Sequence, residues 1–311
     1  MNTGSTPLQK LGAIGTNELY CKREDLYPFS FGGNKARKAE LFFREIDRLG
    51  ADCVVSYGSG ESNHCRVVAN HCAARAIDCF LITPEEASEK TFNSLLTARF
   101  GAERTVVPVE KVHDTIEETL KRLKDAGRKP YFIPGGGHGD LGTQAYVDCY
   151  REISDHEQQN NLFFDYIFLA SGTGTTQAGL ICGQLLRGDF DRRIIGISIA
   201  RKNPRGRDVV LESVKSYLGD RLTSPELAEK MTVFLDDYAI GYGASDGRIR
   251  ETIEDVMRRY GLPTDETYTG KAFYGMCEYL KKEHISGKKI LFIHTGGTPL
   301  YFDHLVKTSS R

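Results

Sequence analysis

Short runs of β-branched and aromatic residues alternate along the chain with longer stretches whose apolar positions recur at helical spacing, and glycine-rich turns stand at the junctions. CVVSYGSG runs into SNHCRVVANHCAARA, and YIFLASGTGTT runs into QAGLICGQLLRG. Such a run entering a glycine turn and followed by a helical pattern predicts a strand, a tight turn and a helix packed back on the sheet. DCFLIT, RTVVPV, YFIPGG, RIIGISIA and KKILFIHTGG are further candidate strands, each ending near Gly, Pro, Ser or Thr. The repetition predicts a doubly wound α/β protein. In open parallel sheets ligands sit beyond the carboxyl ends of the strands, so chemistry is expected in these turns. No low-complexity tract, repeat of solenoid period or Pro/Ser-rich linker divides the chain.

Composition narrows the class of partner. At 311 residues the chain is long enough for about two domains, and 40% hydrophobic with 27% charged residues places it among soluble globular proteins. Lys and Arg number 41 against 42 Asp and Glu, which leaves no broad field for nucleic acid or an anionic membrane and points to a small-molecule partner. The start, MNTGSTPLQKLG, lacks the basic and apolar segments of a signal peptide, and no run approaches a membrane span, so a cytoplasmic protein is expected. Eight cysteines spread over such a length, without a secretory signal, are expected to be reduced. Cys65 and Cys72 recur at the spacing of His64 and His71, but that interval is long for metal-ligand pairs and no paired CxxC accompanies it. Small buried cysteines are the expectation, and no metal.

Three constellations carry candidate chemistry. SGTGTTQAGL (171–180) follows the apolar run FFDYIFLA; glycines let successive amides converge, threonines add hydroxyls, and the next helix presents its positive end. It reads as a phosphate cradle or as a plain strand-to-helix turn. A dinucleotide fingerprint is disfavoured, because GxGxxG is absent and no acidic residue closes RIIGISIA. Lys35 follows a Gly-Gly-Asn turn at the start of an amphipathic helix, where the dipole and desolvation would make its amine nucleophilic. Its neighbours Arg37 and Lys38 read as solvated helix residues, and that reading also remains open for Lys35. In SYGSGESNHCR, Ser62, Asn63 and His64 open the next helix, as caps or as a seat for a substrate carboxylate.

KREDLYPFSFGGNKARK, GSGESNHCR, YFIPGGGHGDLGTQAYVDC, SGTGTTQAGL, YTGKAFYGM and FIHTGGTPLYF together resemble, in the same order, the aminocyclopropane-carboxylate deaminase and D-cysteine desulfhydrase family. That family belongs to the fold-type-II pyridoxal-phosphate (PLP) enzymes, related to the tryptophan synthase β chain. The likeness runs from about Leu19 to about Phe302. It implies two doubly wound α/β domains with PLP in the cleft between them, 1–37 with 146–311 forming the large domain and 38–145 a small inserted one. It further implies that Lys35 carries the cofactor, that Asn63 meets its phenolic oxygen, and that Gly172, Thr173, Gly174, Thr175 and Thr176 hold its phosphate. Thr295 would face the pyridine nitrogen, Ser62 would hold the substrate carboxylate and could relay a proton, and Tyr242 and Tyr268 would flank the substrate. A homodimer is implied by the same analogy.

The sequence also departs from the family pattern. Glu61 stands where members carry Gln, and His138 and Asp140 add charge to PGGGHGD. Glu61 could pair with a second amino group on a diamino acid, or be a surface carboxylate in the first turn of a helix. The deaminases carry a glutamate after the tyrosine of Y-x-G-K, whereas Thr269 stands here and Thr295 is also neutral. Two hydroxyls would hold a protonated ring nitrogen poorly, which favours chemistry in which a β-substituent leaves quickly. The expected activity is therefore desulfhydrase-like α,β-elimination from a small amino acid, releasing keto acid and ammonia. Cyclopropane opening, β-replacement, dehydration of serine and ammonia loss from a diamino acid are the rivals on the same scaffold, and a non-catalytic PLP or nucleotide binder is the rival from another class.

Overall fold

A computed structural model describes residues 5–238 and 240–309. The chain opens with β1 (Leu8–Ile14) and β2 (Asn17–Lys22), then α1 (Asn34–Leu49), β3 (Cys53–Tyr57), α2 (Asn63–Arg75), β4 (Asp78–Pro84), α3 (Phe92–Arg99), β5 (Glu103–Val107), α4 (Val112–Asp125), β6 (Pro130–Phe132) and α5 (Asp140–Asn160). It continues through β7 (Tyr166–Ser171), α6 (Thr175–Arg187), β8 (Arg193–Ser198), α7 (Arg205–Leu218), α8 (Pro225–Met231), β9 (Val233–Leu235), α9 (Gly247–Tyr260), α10 (Thr269–Lys282), β10 (Lys289–Ile293) and α11 (Thr298–Ser309).

The strands form two sheets, one ordered β1-β2-β10-β7-β8-β9 and one ordered β5-β4-β3-β6. Among the described residues only the β1–β2 hairpin pairs antiparallel; every other neighbour is parallel. Each strand expected from the apolar runs is present, and the α/β class stands. The alternation within β7 shows why its run folds as it does. Ile167 and Leu169 face one core with Tyr146 of α5 and Ile181 of α6, while Phe168 and Ala170 face another with Phe273 and Met276 of α10. In the smaller sheet Val54 and Leu81 face α1 and α2, and Cys53, Val55 and Ile82 face α4.

The smaller sheet is built between β2 and β7 in chain order, and the chain returns to the larger sheet through α5. Positions 37/38 and 145/146 fall inside α1 and α5 respectively. Helix α1 packs its Ala36, Ala39, Phe42, Phe43 and Ile46 with the smaller sheet, whereas α5 from Ala145 onward packs with the larger. The approach of α6 to α5 needs glycine: a Cβ on Gly179 would lie 2.3 Å from the Thr143 carbonyl oxygen, and one on Gly183 2.6 Å from Tyr150 Cβ. That contact fixes where the N-terminus of α6 points.

The cysteines are free thiols and all but Cys277 are buried. His71 stacks between Phe29 and Phe43, with centroids 4.2 and 4.6 Å away, while His64 turns to Ser56. Among the described residues no helix is long and apolar enough to cross a membrane.

Candidate active site

The carboxyl ends of β3, β4, β6, β7, β8 and β10 converge on a cavity of about 340 Å³, within the usual size of a small-ligand site. Its wall includes Lys35, Ser62, Asn63, His64, Gly172, Thr173, Gly174, Thr176, Tyr242, Tyr268 and Thr295, together with Tyr57, Ser59 and Arg201. Among the described residues no Asp or Glu lines it, so Lys35 and Arg201 bring positive charge to a wall without a carboxylate.

Lys35 stands at the start of α1, whose cap Gly33 has φ +94°. A Cβ there would lie 2.8 Å from the Thr295 carbonyl oxygen, which in turn accepts the Asn34 amide at 2.9 Å. This close approach seats the first turn of α1 against the end of β10. The Lys35 ammonium donates to the Gly136 carbonyl at 2.8 Å, and burial lowers its pKa to about 8. Arg37 and Lys38 are not solvated. Arg37 is buried and donates to Glu24 at 2.6 Å and to Glu152 at 2.7 Å. Lys38 is buried too, donates to the Thr175 hydroxyl at 2.6 Å, and is pushed well below its usual pKa by burial and then by Lys35. The helical pattern could not reveal this, because α1 is covered on a second side by α5.

Residues 172 to 176 leave β7 and enter α6. Gly174 caps the helix with φ +94° and brings no side-chain hydrogen bond to the first-turn amides. A Cβ on Gly174 would lie 3.1 Å from the Val209 carbonyl oxygen, so close backbone packing and the left-handed conformation both call for glycine. Thr176 accepts from Asn34 Nδ2 at 3.0 Å and stays on the cavity wall. Thr175 does not line the cavity; its hydroxyl is held by Lys38 behind the loop.

Ser62 caps α2 by accepting the Cys65 amide at 3.2 Å and borders the cavity as well, so the two readings of its motif coexist. His64 Nε2 lies 2.8 Å from the Ser56 hydroxyl, and burial followed by Lys35 depresses its pKa well below normal, keeping it neutral. Glu61 is outside the cavity. Its carboxylate accepts the Thr267 hydroxyl at 2.9 Å, facing a separate hollow shared with Gly243, Glu266 and Asp303. It is not the solvated carboxylate of a first turn either, being only 9% exposed.

Tyr242 and Tyr268 meet through their hydroxyls at 2.5 Å, and Tyr242 also meets the Ser59 hydroxyl at 2.9 Å. Burial raises both phenols, Tyr242 to about 12. Thr295 borders the cavity, but Thr269 does not. Thr269 begins α10, and its hydroxyl donates to buried Asp265 at 2.7 Å while accepting the Asp265 amide at 3.0 Å. The expectation of two hydroxyls at one ring atom thus reduces to Thr295, because Thr269 is consumed in tying its helix start to Asp265. His138 lies beside the Thr173 carbonyl, at 3.2 Å, and Asp140 accepts from Ser216 at 3.1 Å; neither lines the cavity. Sequence reasoning missed Arg201, whose guanidinium donates to the Gly172 carbonyl at 3.0 Å. It directly follows RIIGISIA, so the rule that chemistry gathers after strands would have found it.

Residues 1–296 match the family described as pyridoxal-phosphate dependent enzyme. The chain is 34% identical over 313 residues to a D-cysteine desulfhydrase of Serratia proteamaculans, covering 96% of this chain and 93% of that one. It is 33% identical over 319 residues to a 1-aminocyclopropane-1-carboxylate deaminase of a Bradyrhizobium species, covering 95% and 92%. The crystal structure of an ACC deaminase homologue superposes with a TM-score of 0.83 at 34% identity, covering 99% of this chain and 94% of that one.

Proposed function

The chain belongs to the family of pyridoxal-phosphate dependent enzymes, in its fold-type-II architecture, and we propose that it eliminates the β-substituent of a small amino acid and releases a keto acid and ammonia. The residues present suit PLP. An uncapped helix end behind Gly174, where a Cβ would be tight against Val209 and strained at φ +94°, offers amides to a phosphate, and a lysine amine faces the same space. We assign Lys35 to the cofactor's aldehyde, Gly172–Thr176 to its phosphate, Asn63 to its phenolic oxygen and Thr295 to its pyridine nitrogen. Of these, Thr175 stands behind the wall with its hydroxyl taken by Lys38, so it supports the loop from behind. When bound, PLP supplies the electron sink that makes the substrate's α-proton removable.

The protein's own part is binding and proton transfer. Ser62 and the amides opening α2 hold the substrate carboxylate. Lys35, whose burial lowers its pKa to about 8 in the PLP-free protein, would be the amine that accepts the α-proton and returns it. Tyr242 and Tyr268 close the substrate side, and their raised pKa keeps both protonated as donors. Residues 38–145 would then be the inserted small domain, and the enzyme a homodimer.

The observation behind the choice of reaction is that no Asp or Glu among the described residues lines the cavity. Thr295 leaves a ring nitrogen without an anionic partner, so a departing β-group has to disperse the charge. Cyclopropane opening offers no such group. A second ammonium on the substrate finds no partner either, since Glu61 lies outside the wall. The test is release of keto acid and ammonia from both enantiomers of cysteine, serine, β-chloroalanine and diaminopropionate, with aminocyclopropane carboxylate alongside. Elimination from cysteine or β-chloroalanine of one hand is expected; efficient cyclopropane opening with no elimination from any of them overturns the reading.

A further inference from the structure

Arg66 is 0% exposed on α2, yet its hydrogen-bond partners among the described residues are all neutral. Its Nε donates to Asn93 Oδ1 at 2.8 Å, Nη1 donates to Ser30, and Nη2 lies 3.4 Å from Asn63 Oδ1. Asn93, itself 0% exposed at the start of α3, donates through Nδ2 to the Glu61 carbonyl at 2.8 Å and to Asn63 Oδ1 at 2.9 Å. An asparagine amide can be turned end for end, but this one is pinned by groups that cannot exchange roles. A guanidinium only donates, so the Asn93 atom facing it is oxygen; a backbone carbonyl only accepts, so the Asn93 atom facing Glu61 is nitrogen. That nitrogen also faces Asn63, whose contacting atom must then be oxygen. Asn63 Nδ2 is left as the group that meets an occupant of the cavity, and it donates to no protein atom among the described residues.

We propose that Arg66 and Asn93 are positioning residues that set the donor polarity of Asn63, so that the cavity presents an N–H and not a carbonyl oxygen to the phenolic oxygen of PLP. The inference rests on the cofactor reading above and adds what fixes the direction of its hydrogen bond. Burial lowers Arg66 to about 9, which still leaves it protonated at neutral pH and therefore a donor only. The relay also spans three separate segments, α2, α3 and the Ser30 turn, so the polarity of one pocket amide depends on residues that never touch the cavity.

Asn93→Asp tests it with almost no change of volume. The new carboxylate still accepts from Arg66 and gives that buried cation a counter-charge, but it has no N–H for Asn63. Asn63 then turns its own Nδ2 toward that carboxylate and presents oxygen to the cavity. A hydrogen bond to a charged group contributes about 1.5–3 kcal/mol, so the PLP dissociation constant should rise by about tenfold or more. The absorbance band of the lysine-bound cofactor should move to shorter wavelength, and its pH midpoint should rise, because the phenolate loses a donor. Arg66→Lys keeps a pure donor at its end of the relay and should hold the unaltered band. Asn93→Ala, useful if the aspartate variant folds poorly, should shift the band in the same direction and less far. An unaltered protein that takes up no borohydride-trappable PLP defeats the cofactor reading itself. Normal PLP uptake by the unaltered protein, with band, midpoint and affinity unmoved in the folded Asn93 variants, overturns the relay alone.

Discussion

The Glu61 carboxylate accepts the Thr267 hydroxyl at 2.9 Å, tying the turn before α2 to the loop that carries Tyr268. The partners belong to segments packed on different sheets, and a Cβ on Gly243 would lie 3.2 Å from the same carboxylate. Glu61 therefore holds the Tyr268 loop against the helix that bears Ser62 and Asn63. Glu61→Ala should cost about 1–2 kcal/mol of stability by leaving the Thr267 hydroxyl unpaired. Glu61→Gln, which can still accept, should retain most of it. Relative turnover of cysteine and diaminopropionate should not change in either variant. A loss confined to diaminopropionate, read from initial rates, would return Glu61 to the substrate.

Lys35 gives a pH dependence of known sign. A neutral amine is what captures an aldehyde, and burial lowers Lys35 from 10.5 to about 8. The rate at which PLP-free protein captures PLP should therefore climb as pH rises through about 8 and level off above it. Stopped-flow absorbance measures the capture rate. A rate still climbing at about pH 10 would mean an ordinary, solvated lysine. Lys35→Ala should leave the fold and remove any borohydride-trappable chromophore.

Much of this was legible in the sequence for a specific reason. Short apolar runs ending in glycine or another turn residue mark parallel strands, and β3, β4, β5, β6, β7, β8 and β10 were all found that way. The hairpin of β1 and β2 was not, because β1 is an edge strand with mostly solvent-facing residues and no clean alternation. The three-residue β9 is too short to show a period and, unlike the equally short β6, runs into no glycine or proline turn. Around the cavity, Lys35, Ser62, Asn63, His64, Gly172, Thr173, Gly174 and Thr176 were singled out by their place beside a strand end or helix start, and Tyr242, Tyr268 and Thr295 by the family resemblance, and all of them line it. Arg66, Asn93, Lys38 and Asp265 were not singled out, since their partners are 27 to 137 positions away or lie behind the cavity wall. The misplacement of Glu61 and Thr269 has the same origin. Spacing locates a residue at a helix start, but it does not say which neighbour will claim the side chain.

Gly174 has φ +94° and a Val209 carbonyl 3.1 Å from where a Cβ would sit. Gly174→Val should strain the backbone and push the loop off the line needed to wrap a phosphate. PLP affinity, followed by fluorescence titration, should drop at least about tenfold. Unchanged affinity would place the phosphate elsewhere.

Asp303 of α11 accepts the Phe92 amide of α3 at 3.1 Å, a second tie between the two sheets' helices. Burial raises its pKa to about 6, against the pull of that hydrogen bond. Between the unfolded value and about 6 the folded protein keeps a proton that the unfolded chain has lost, so this group's contribution to stability falls as pH rises through that window. Asp303→Asn can still accept the Phe92 amide and carries no cost of ionisation. It should melt higher at about pH 7, by under about 1 kcal/mol given the partial exposure, and the gain should vanish below about pH 4. Equal melting curves at neutral pH would contradict the raised pKa.

Thr295 lines the cavity, no described carboxylate does, and Thr269 is turned to Asp265. If Thr295 meets the ring nitrogen of PLP, that atom is unprotonated at neutral pH, and charge left on a substrate's α-carbon is poorly dispersed unless a β-group departs. Alanine has no group to lose, so its α-proton should exchange slowly with heavy water in the unaltered enzyme. Thr295→Asp installs an anion at the same wall, favours the protonated nitrogen, and should raise that exchange severalfold by proton NMR. Elimination from β-chloroalanine should gain little, since its leaving group already disperses the charge. The paired measurement separates an electronic effect from a general one, because a distorted site would slow both reactions. Exchange that stays unchanged while elimination and PLP affinity remain normal would show that Thr295 does not face the nitrogen, and the preference for elimination would lose its physical basis.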